Sequence, residues 1–266
     1  MSRLTIKGSR ALITGATGGI GQAIARALAA EGAELVLSGR RVEVIEQLAK
    51  ELGAQVIAAD LSDLADVARL LKEAGPIDIL VANAALPASG DLLEYSHEQI
   101  LRNVSVNLTV PILMARDSAE AMIGRGRGQI VMIGSMSGKT ASAQASMYNA
   151  TKFGLRGFSL ALRQDLAGKG VGVSIVEPGF VRDAGMFVEA EGKLPRGVRT
   201  VTPEQVAKNV VKAIKRDRAE IVVAPFELRG GAAIGSILPT LSAKLQKAGG
   251  GDAVIESMVG AQRSKR

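Results

Sequence analysis

Short, uniformly apolar segments alternate with longer amphipathic segments along most of the chain. The apolar segments, predicted as strands, are residues 10–14, 33–38, 54–60, 77–84, 128–135, 171–179 and 220–225. The amphipathic segments, predicted as helices, are residues 21–32, 42–53, 64–75, 97–123, 148–167 and 203–216. A strand that is apolar at every position needs cover on both faces, which is typical of a parallel sheet between two layers of helices. The alternation therefore predicts an α/β fold: a doubly wound, Rossmann-type parallel sheet of about seven strands with helices on both faces.

The length of the chain fits one domain built on such a sheet. With 266 residues, of which 47% are apolar, it lies near the upper size for a single hydrophobic core. We expect one domain over residues 1–266, with its core over about 5–225 and a lid loop over about 183–202, because long excursions in compact domains are commonly functional. The C-terminal segment, 226–266, has two interpretations: a closing helix packed on the core or on a partner subunit, or peripheral attachment to an anionic membrane surface.

Composition excludes several classes of function. The absence of cysteine excludes disulfides and thiolate chemistry and fits a reducing compartment, so we expect the protein in the cytoplasm. The N-terminus lacks the apolar run of a signal peptide, and the uncharged stretch GGAAIGSILPTLSA is too short for a transmembrane segment. The net charge of +7 suits either solubility or attraction of phosphate-bearing ligands. Neither a metal-ligand spacing nor a nucleic-acid-binding motif is present, so we expect no metal and no nucleic acid.

A glycine-rich turn joins the first predicted strand to the first predicted helix. It reads TGATGGIG over residues 14–21, and its candidate cofactor-binding residues are Gly15, Thr17, Gly19, Ile20 and Gly21. Glycine lets the backbone approach a pyrophosphate closely, and the free N–H groups of a helix N-terminus attract the negative charge. The spacing differs from G-x-G-x-x-G, but its place between a strand and a helix predicts a dinucleotide site.

Two arginines follow the second predicted strand, in the sequence SGRR. A site that binds the ribose 2′-hydroxyl places Asp or Glu in this region, whereas this chain has Arg40 and Arg41. A guanidinium group matches a 2′-phosphate in charge and in hydrogen-bonding geometry. We therefore predict NADP(H) rather than NAD(H) as the cofactor.

Tyr148 and Lys152 stand four residues apart, in a chain that has only two tyrosines and one histidine. On a helix they share one face, with Cβ atoms about 5–6 Å apart. A neighbouring ammonium group favours the phenolate and so lowers the pKa of the phenol, which would suit the tyrosine to proton transfer. The same spacing also fits a half-buried tyrosine beside a solvated lysine, so the pair alone leaves both interpretations open.

Further motifs occur in a fixed order around these features. They are AD ending at Asp60, ANAA over 82–85, SVNLT around Asn107, IGSMSG with Ser135, YNATK from Tyr148, and EPG over 177–179. With the glycine turn, these motifs make residues 5–225 resemble the single-domain branch of the short-chain dehydrogenase/reductase family.

The resemblance implies a cofactor site and a catalytic set. In the cofactor site, Asp60 and Leu61 would lie against the adenine, Asn83 would stiffen the sheet beside the cofactor, and Ala84 would line its path. Pro178 and Gly179 would border the nicotinamide. In the catalytic set, Asn107 would hold a water in a proton relay and Ser135 would bind the substrate oxygen. Tyr148 would be the general acid or base, and Lys152 would contact the nicotinamide ribose and lower the pKa of Tyr148.

Two positions depart from the family pattern. The pattern commonly has threonine where PGFVRDAG has Asp183, and ANAA replaces the commoner asparagine-asparagine-alanine-glycine. We expect Asp183 either to accept a hydrogen bond from the nicotinamide amide or to cap a short lid helix that begins at Ala184.

The resemblance implies an NADP(H)-dependent oxidoreductase that forms a homodimer or homotetramer and acts on a small-molecule substrate with a carbonyl or secondary alcohol group. The predicted pocket residues are small or flexible and apolar, which favours a bulky apolar ketone or a 3-ketoacyl thioester: Leu86, Met136, Ala141, Ala143, Ala145, Met147, Met186 and Phe187. One alternative is a sugar-nucleotide epimerase or dehydratase, for which too few residues follow the last predicted strand. The other is an NADP-binding regulatory protein without turnover.

Overall fold

The sheet has seven parallel strands in the order β3-β2-β1-β4-β5-β6-β7. The computed structural model describes residues 4–183 and 199–248. Its strands are β1 (Arg10–Thr14), β2 (Glu34–Gly39), β3 (Gln55–Ala58), β4 (Ile79–Ala82), β5 (Gly128–Ile133), β6 (Val171–Pro178) and β7 (Glu220–Val223). The predicted doubly wound α/β fold is confirmed, and each observed strand overlaps its predicted segment.

The helices lie on both faces of this sheet. They are α1 (Gly19–Ala30), α2 (Val42–Leu52), α3 (Leu64–Ala74), α4 (His97–Val104), α5 (Val110–Gly124), α6 (Ser146–Asp165), α7 (Pro203–Arg216), α8 (Phe226–Ile237) and α9 (Pro239–Ala248). The predicted helix over 97–123 is interrupted, because a π-helical turn over Ser105–Thr109 separates α4 from α5. Such turns inside helices are frequent at functional sites.

Reciprocal capping boxes define where two of these helices begin. Ser96 precedes α4 and exchanges hydrogen bonds with Gln99, and Thr202 precedes α7 and does the same with Gln205. Each of these capping boxes satisfies N–H groups that have no partner within the helix. Helix α1 differs, because Gly18 precedes it and supplies no side-chain cap.

The core consists of two apolar layers, one on each face of the sheet. One layer packs the sheet against α1, α2 and α7, with Ile24, Leu28 and Val210 fully buried. The other packs it against α3, α5 and α6, with Leu70 and Met122 fully buried. Burial on both faces explains why the strand sequences are continuously apolar instead of alternating.

The two segments outside the regular alternation are described in part. The predicted lid is flanked by a bridge between Val181 and Val201, and residues 184–198 of it lie outside the described residues. In the C-terminal segment, α8 and α9 form two short helices in place of the single closing helix of one interpretation. Among the described residues, no helix is long and apolar enough to cross a bilayer.

Candidate active site

The predicted site residues gather at one edge of the sheet, where all the parallel strands end. In an open α/β sheet, ligands bind outside these carboxyl ends, at the point where the strand order reverses. Here that point lies between β1 and β4. The glycine turn follows β1 and Asn83 follows β4, while Ser135 follows β5.

The glycine turn is packed too tightly to hold side chains. Gly15 has φ of 66°, and a Cβ atom there would lie 2.8 Å from the Ala84 Cα. A Cβ atom on Gly21 would lie 2.4 Å from the carbonyl oxygen of Gly15. Both positions therefore require glycine, the first for its backbone conformation as well.

The N-terminus of α1 is open to a ligand. The helix begins at Gly19, before the predicted start at residue 21, and its first turn contains no acidic residue. A Cβ atom on Gly18 would meet only the Gly15 carbonyl oxygen, at 3.7 Å. The space beside Gly18, the N–H groups of the first turn and the positive end of the helix dipole together suit a phosphate.

Thr14, for which the sequence motifs predicted no role, joins the glycine turn to the end of β4. The Thr14 hydroxyl accepts hydrogen bonds from the backbone N–H groups of Asn83, at 3.1 Å, and Ala84, at 3.2 Å. In return, Asn83 Nδ2 donates to the carbonyl oxygens of Thr14, at 3.0 Å, and Gly15, at 3.1 Å. Asn83 therefore ties two neighbouring strand ends together beside the turn.

The two arginines after β2 have different surroundings. The Arg41 guanidinium donates to the carbonyl oxygen of Thr17 at 3.2 Å, so it braces the glycine turn. Arg40 is exposed and lies near Asp60, which follows β3. The pKa of Asp60 is lowered chiefly by a hydrogen bond from the Ser62 backbone, with smaller effects from the charges of Arg40 and Arg102. The Arg40 side chain therefore carries positive charge at this edge of the sheet.

Ser135, Tyr148 and Lys152 come together although they lie on different elements. Ser135 follows β5, and its hydroxyl is hydrogen-bonded to Tyr148 on α6. The Lys152 ammonium group lies 5.8 Å from the centre of the Tyr148 ring. Its Nζ also donates to the carbonyl oxygen of Ile133 at 2.9 Å, and only 4% of the residue is exposed. This buried, hydrogen-bonded lysine excludes the interpretation in which Lys152 is solvated.

The pKa values of the pair differ from the sequence-based expectation. Burial raises the pKa of Tyr148, and the hydrogen bond with Ser135 offsets part of that rise. Burial also lowers the pKa of Lys152 to about 8. The net shift of the Tyr148 pKa is therefore upward, opposite to the expected lowering, because the loss of water around the phenol outweighs the hydrogen bond with Ser135.

Asn107 lies in the π-helical turn, and its side chain is fully engaged by protein groups. Its Oδ1 accepts from the Leu86 backbone N–H at 2.7 Å. Its Nδ2 donates to the Leu86 carbonyl oxygen at 2.9 Å and to Asn103 Oδ1 at 3.1 Å. The amide therefore clamps the segment after β4, and both its N–H groups are used. The expectation that Asn107 holds a relay water stays a prediction.

Replacing Asn107 by alanine should destabilise the fold. The substitution leaves the buried N–H and carbonyl groups of Leu86 without partners, which costs about 1–3 kcal/mol per unpaired group. Urea unfolding of both proteins measures the loss. Asn209→Ala is the control, because the Asn209 amide donates to an exposed carbonyl oxygen within α7. Equal losses in the two variants would contradict the clamp.

The remaining predicted residues lie at the end of β6 and just beyond it. Pro178 ends β6, and Gly179 packs against Ala224 and Met136, so that a Cβ atom there would lie 3.2 Å from the Ala224 Cβ.

Asp183 has φ of 67° and lies 3.5 Å from Arg182 Nε, with 74% of its side chain exposed. A helix-capping residue takes an extended backbone instead, so this conformation does not fit the expected cap. Ala184, Met186 and Phe187 lie outside the described residues.

A family model described as short chain dehydrogenase matches residues 9–194 of the chain. The ketoacyl reductase HetN of Nostoc is 37% identical over 228 residues, which cover 82% of this chain and 79% of that protein. Nodulation protein G of Rhizobium is 34% identical over 242 residues, covering 86% of this chain and 98% of that protein.

Solved structures match over a similar length. An actinorhodin polyketide ketoreductase with NADPH has a TM-score of 0.72 and 32% identity, and the match covers 82% of this chain and 96% of that one. A 3-oxoacyl (acyl-carrier-protein) reductase of Agrobacterium tumefaciens with NADP bound has a TM-score of 0.75 and 26% identity, covering 82% and 93%.

Proposed function

Because this chain belongs to the short-chain dehydrogenase/reductase family, whose members are oxidoreductases acting on CH–OH or keto groups, we propose that it is an NADP(H)-dependent ketoreductase. The observation that carries the proposal is the contact of Ser135 with Tyr148, beside the buried Lys152, at the sheet edge that holds the glycine turn. A single proton donor and a hydrogen-bond partner are what carbonyl reduction requires of the protein.

The open N-terminus of α1 supports the binding of a dinucleotide pyrophosphate. Gly18 leaves space there for phosphate oxygens, and the first turn brings no competing carboxylate. Arg40, exposed beyond the end of β2, supplies the positive charge that a 2′-phosphate needs. Two similar structures were solved with NADP(H), which favours the same cofactor here.

In the proposed reaction the protein moves the proton. A nicotinamide bound at this edge of the sheet would supply the hydride for reduction of a carbonyl, or accept it when an alcohol is oxidised. Tyr148 gives its phenolic proton to the carbonyl oxygen, and Ser135 holds that oxygen by a hydrogen bond. Below a pH of about 8 Lys152 is charged, and its ammonium group stabilises the phenolate that remains on Tyr148. In the direction of oxidation, the phenolate removes the proton from the alcohol.

The substrate we propose is a 3-ketoacyl thioester or a bulky apolar ketone. Ala145 and Met147 are close to Tyr148 in the chain, and Leu86 is hydrogen-bonded to Asn107. All three are largely buried, which supports apolar walls for the site. The names of the similar ketoacyl reductase and polyketide ketoreductase favour the same substrate class.

Oxidation of NADPH with a panel of carbonyl compounds tests this proposal. We expect turnover with 3-ketoacyl thioesters or apolar cyclic ketones, and the reverse reaction with secondary alcohols and NADP⁺. Both reactions are followed by the absorbance of NADPH. Tight binding of NADPH without turnover across the panel would favour the alternative, a regulatory protein that binds the cofactor.

We also propose that the chain forms a homodimer or homotetramer. Apolar side chains are exposed on α4, α5 and α6, where Leu101 is 70% exposed and Phe153 is 42% exposed. Such a surface is typical of an association site. Light scattering coupled to size-exclusion chromatography measures the assembly directly.

A further inference from the structure

A group of four charged side chains, one of them completely buried, adjoins the proposed catalytic set. Glu177, on β6, is completely buried. Around it lie Glu220 on β7, Arg156 on α6, and Lys139, which follows a 3-10 turn over Met136–Gly138. We call these four residues the carboxyl cluster. A buried carboxyl group is costly unless it is paired and hydrogen-bonded. The partners of Glu177 therefore determine whether it is ionised.

The two cations of the cluster bind Glu220 more closely than Glu177. Lys139 Nζ lies 2.9 Å from Glu220 Oε2, and Arg156 Nε lies 2.6 Å from Glu220 Oε1. The corresponding distances to Glu177 are 3.5 Å and 3.7 Å. Neither carboxyl oxygen of Glu177 accepts a hydrogen bond from a donor in the described structure. An ionised Glu177 would therefore be buried without a hydrogen bond, beside the negative charge of Glu220.

A proton on Glu177 resolves this arrangement, because a protonated carboxyl group can donate to Glu220. Burial, and then the neighbouring Glu220, raise the pKa of Glu177 to about 8. Burial also acts to raise the pKa of Glu220, but the hydrogen bonds from Arg156 and Lys139 outweigh it and lower that pKa to about 2. One proton held between the two carboxyl groups at neutral pH would relieve the burial of Glu177 and its repulsion by Glu220, as in closely spaced carboxyl pairs.

The carboxyl cluster connects the three segments that carry the proposed site. Lys139 closes the turn after Ser135, since its backbone N–H donates to Met136 at 2.9 Å and that of Gly138 donates to Ser135 at 2.8 Å. A Cβ atom on Gly138 would lie 2.7 Å from the Lys152 carbonyl oxygen and 3.5 Å from Glu177 Oε1. The turn is therefore packed between α6 and Glu177.

The other two connections run through α6 and β6. Arg156 stands one helical turn after Lys152 on the same face of α6. Glu177 directly precedes Pro178, at the end of β6. The carboxyl cluster thus connects the turn that follows Ser135, the helix α6 that carries Lys152, and the end of β6, where the residues expected beside the nicotinamide lie.

We propose that Glu177 is a positioning residue, which shares one proton with Glu220 and thereby holds the Met136–Gly138 turn and Ser135 in place beside Tyr148. The effect on catalysis rests on the proposed ketoreductase function, whereas the shared proton does not. The carboxyl cluster affects the catalytic residues only by way of the Met136–Gly138 turn, because Glu177 is buried behind that turn.

Two substitutions at Glu177 separate its charge from its hydrogen bond. Glu177→Gln stays neutral and keeps a donor for Glu220, so kcat near pH 7 should remain close to that of the wild type. Glu177→Leu is of similar size without a donor, so kcat should fall by at least about tenfold, with little change in KM for NADPH. Hydrogen exchange of the backbone amides at 136–139 should accelerate in Glu177→Leu alone. A glutamine variant as impaired as the leucine variant, or a leucine variant with normal kcat and exchange, would overturn the positioning role.

The shared proton has its own test, which needs no substrate. The unfolded chain releases this proton near the ordinary value of 4.5, whereas the folded protein holds it until about 8. Its stabilising contribution is therefore complete below about pH 4.5 and is lost as the pH rises through 8. Urea unfolding from pH 5 to 9 should show Glu177→Gln gaining stability relative to the wild type as the pH increases. Infrared difference spectra of the two proteins near pH 6.5 should show a protonated carboxyl group in the wild type only.

A stability difference that is constant with pH, together with a carboxylate band at pH 6.5, would overturn the shared proton. If the wild type reduced no carbonyl compound, the proposed function would fail, but unfolding, infrared spectra and hydrogen exchange would still decide the state of Glu177 and the order of the turn.

Discussion

Tyr148→Phe should lower the turnover of carbonyl compounds by at least about 10²-fold, which is the lower end for the loss of a general acid. The phenol is the hydrogen-bond partner of Ser135, and we assign it the proton that reaches the carbonyl oxygen. Phenylalanine keeps the ring next to Lys152 but has no proton to give. Single-turnover measurements with saturating NADPH isolate this step from cofactor binding and product release.

Two measurements make the result specific to the proton. NADPH titration of Tyr148→Phe should give an affinity close to that of the wild type, because the aromatic ring still fills its place. Tyr95→Phe is the matched control, since Tyr95 is the other of the chain's two tyrosines and its hydroxyl donates to the Ser89 carbonyl oxygen at 3.2 Å. Turnover by Tyr148→Phe at the level of Tyr95→Phe would remove Tyr148 from its assigned role.

Arg40→Ala should weaken the binding of NADPH by about tenfold to a hundredfold while affecting NADH much less. A hydrogen bond to a charged group contributes about 1.5–3 kcal/mol, and NADH lacks the 2′-phosphate that would receive it. Fluorescence titration with each reduced cofactor measures both dissociation constants. Equal losses for NADPH and NADH would rule out a contact between Arg40 and the 2′-phosphate.

Arg41→Ala is the control for the Arg40 result, since it removes the same charge from the neighbouring position. The Arg41 guanidinium already donates to the Thr17 carbonyl oxygen at 3.2 Å, so it supports the glycine turn that both cofactors would use. We therefore expect this variant to weaken both cofactors and to change the preference for NADPH less than Arg40→Ala does. A larger loss of preference in Arg41→Ala would transfer the 2′-phosphate contact to Arg41.

Local signals in the sequence predicted the fold and the position of the glycine turn. Continuous apolar runs such as residues 128–133 identify strands that are buried on both faces, because a half-exposed strand would alternate instead. Glycine at 15 and 21 signals a tight turn, since neither position has room for a Cβ atom. The end of the fourth strand was predicted less accurately. The apolar run extends to residue 84, whereas β4 ends at Ala82, because Asn83 leaves the sheet to form hydrogen bonds with Thr14.

The amino-acid sequence by itself determined the α/β class, the order of the elements and the motifs that identify the family, because these depend on periodicity, turn chemistry and spacing along the chain. Only the tertiary structure decided the direction of the Tyr148 pKa shift, the engagement of the Asn107 amide and the existence of the carboxyl cluster. The physical reason is that all three depend on groups far apart in sequence. Glu177 is one charged residue in an apolar strand, and its buried contacts with Lys139, Arg156 and Glu220 arise only when two strands, a helix and a turn pack around it.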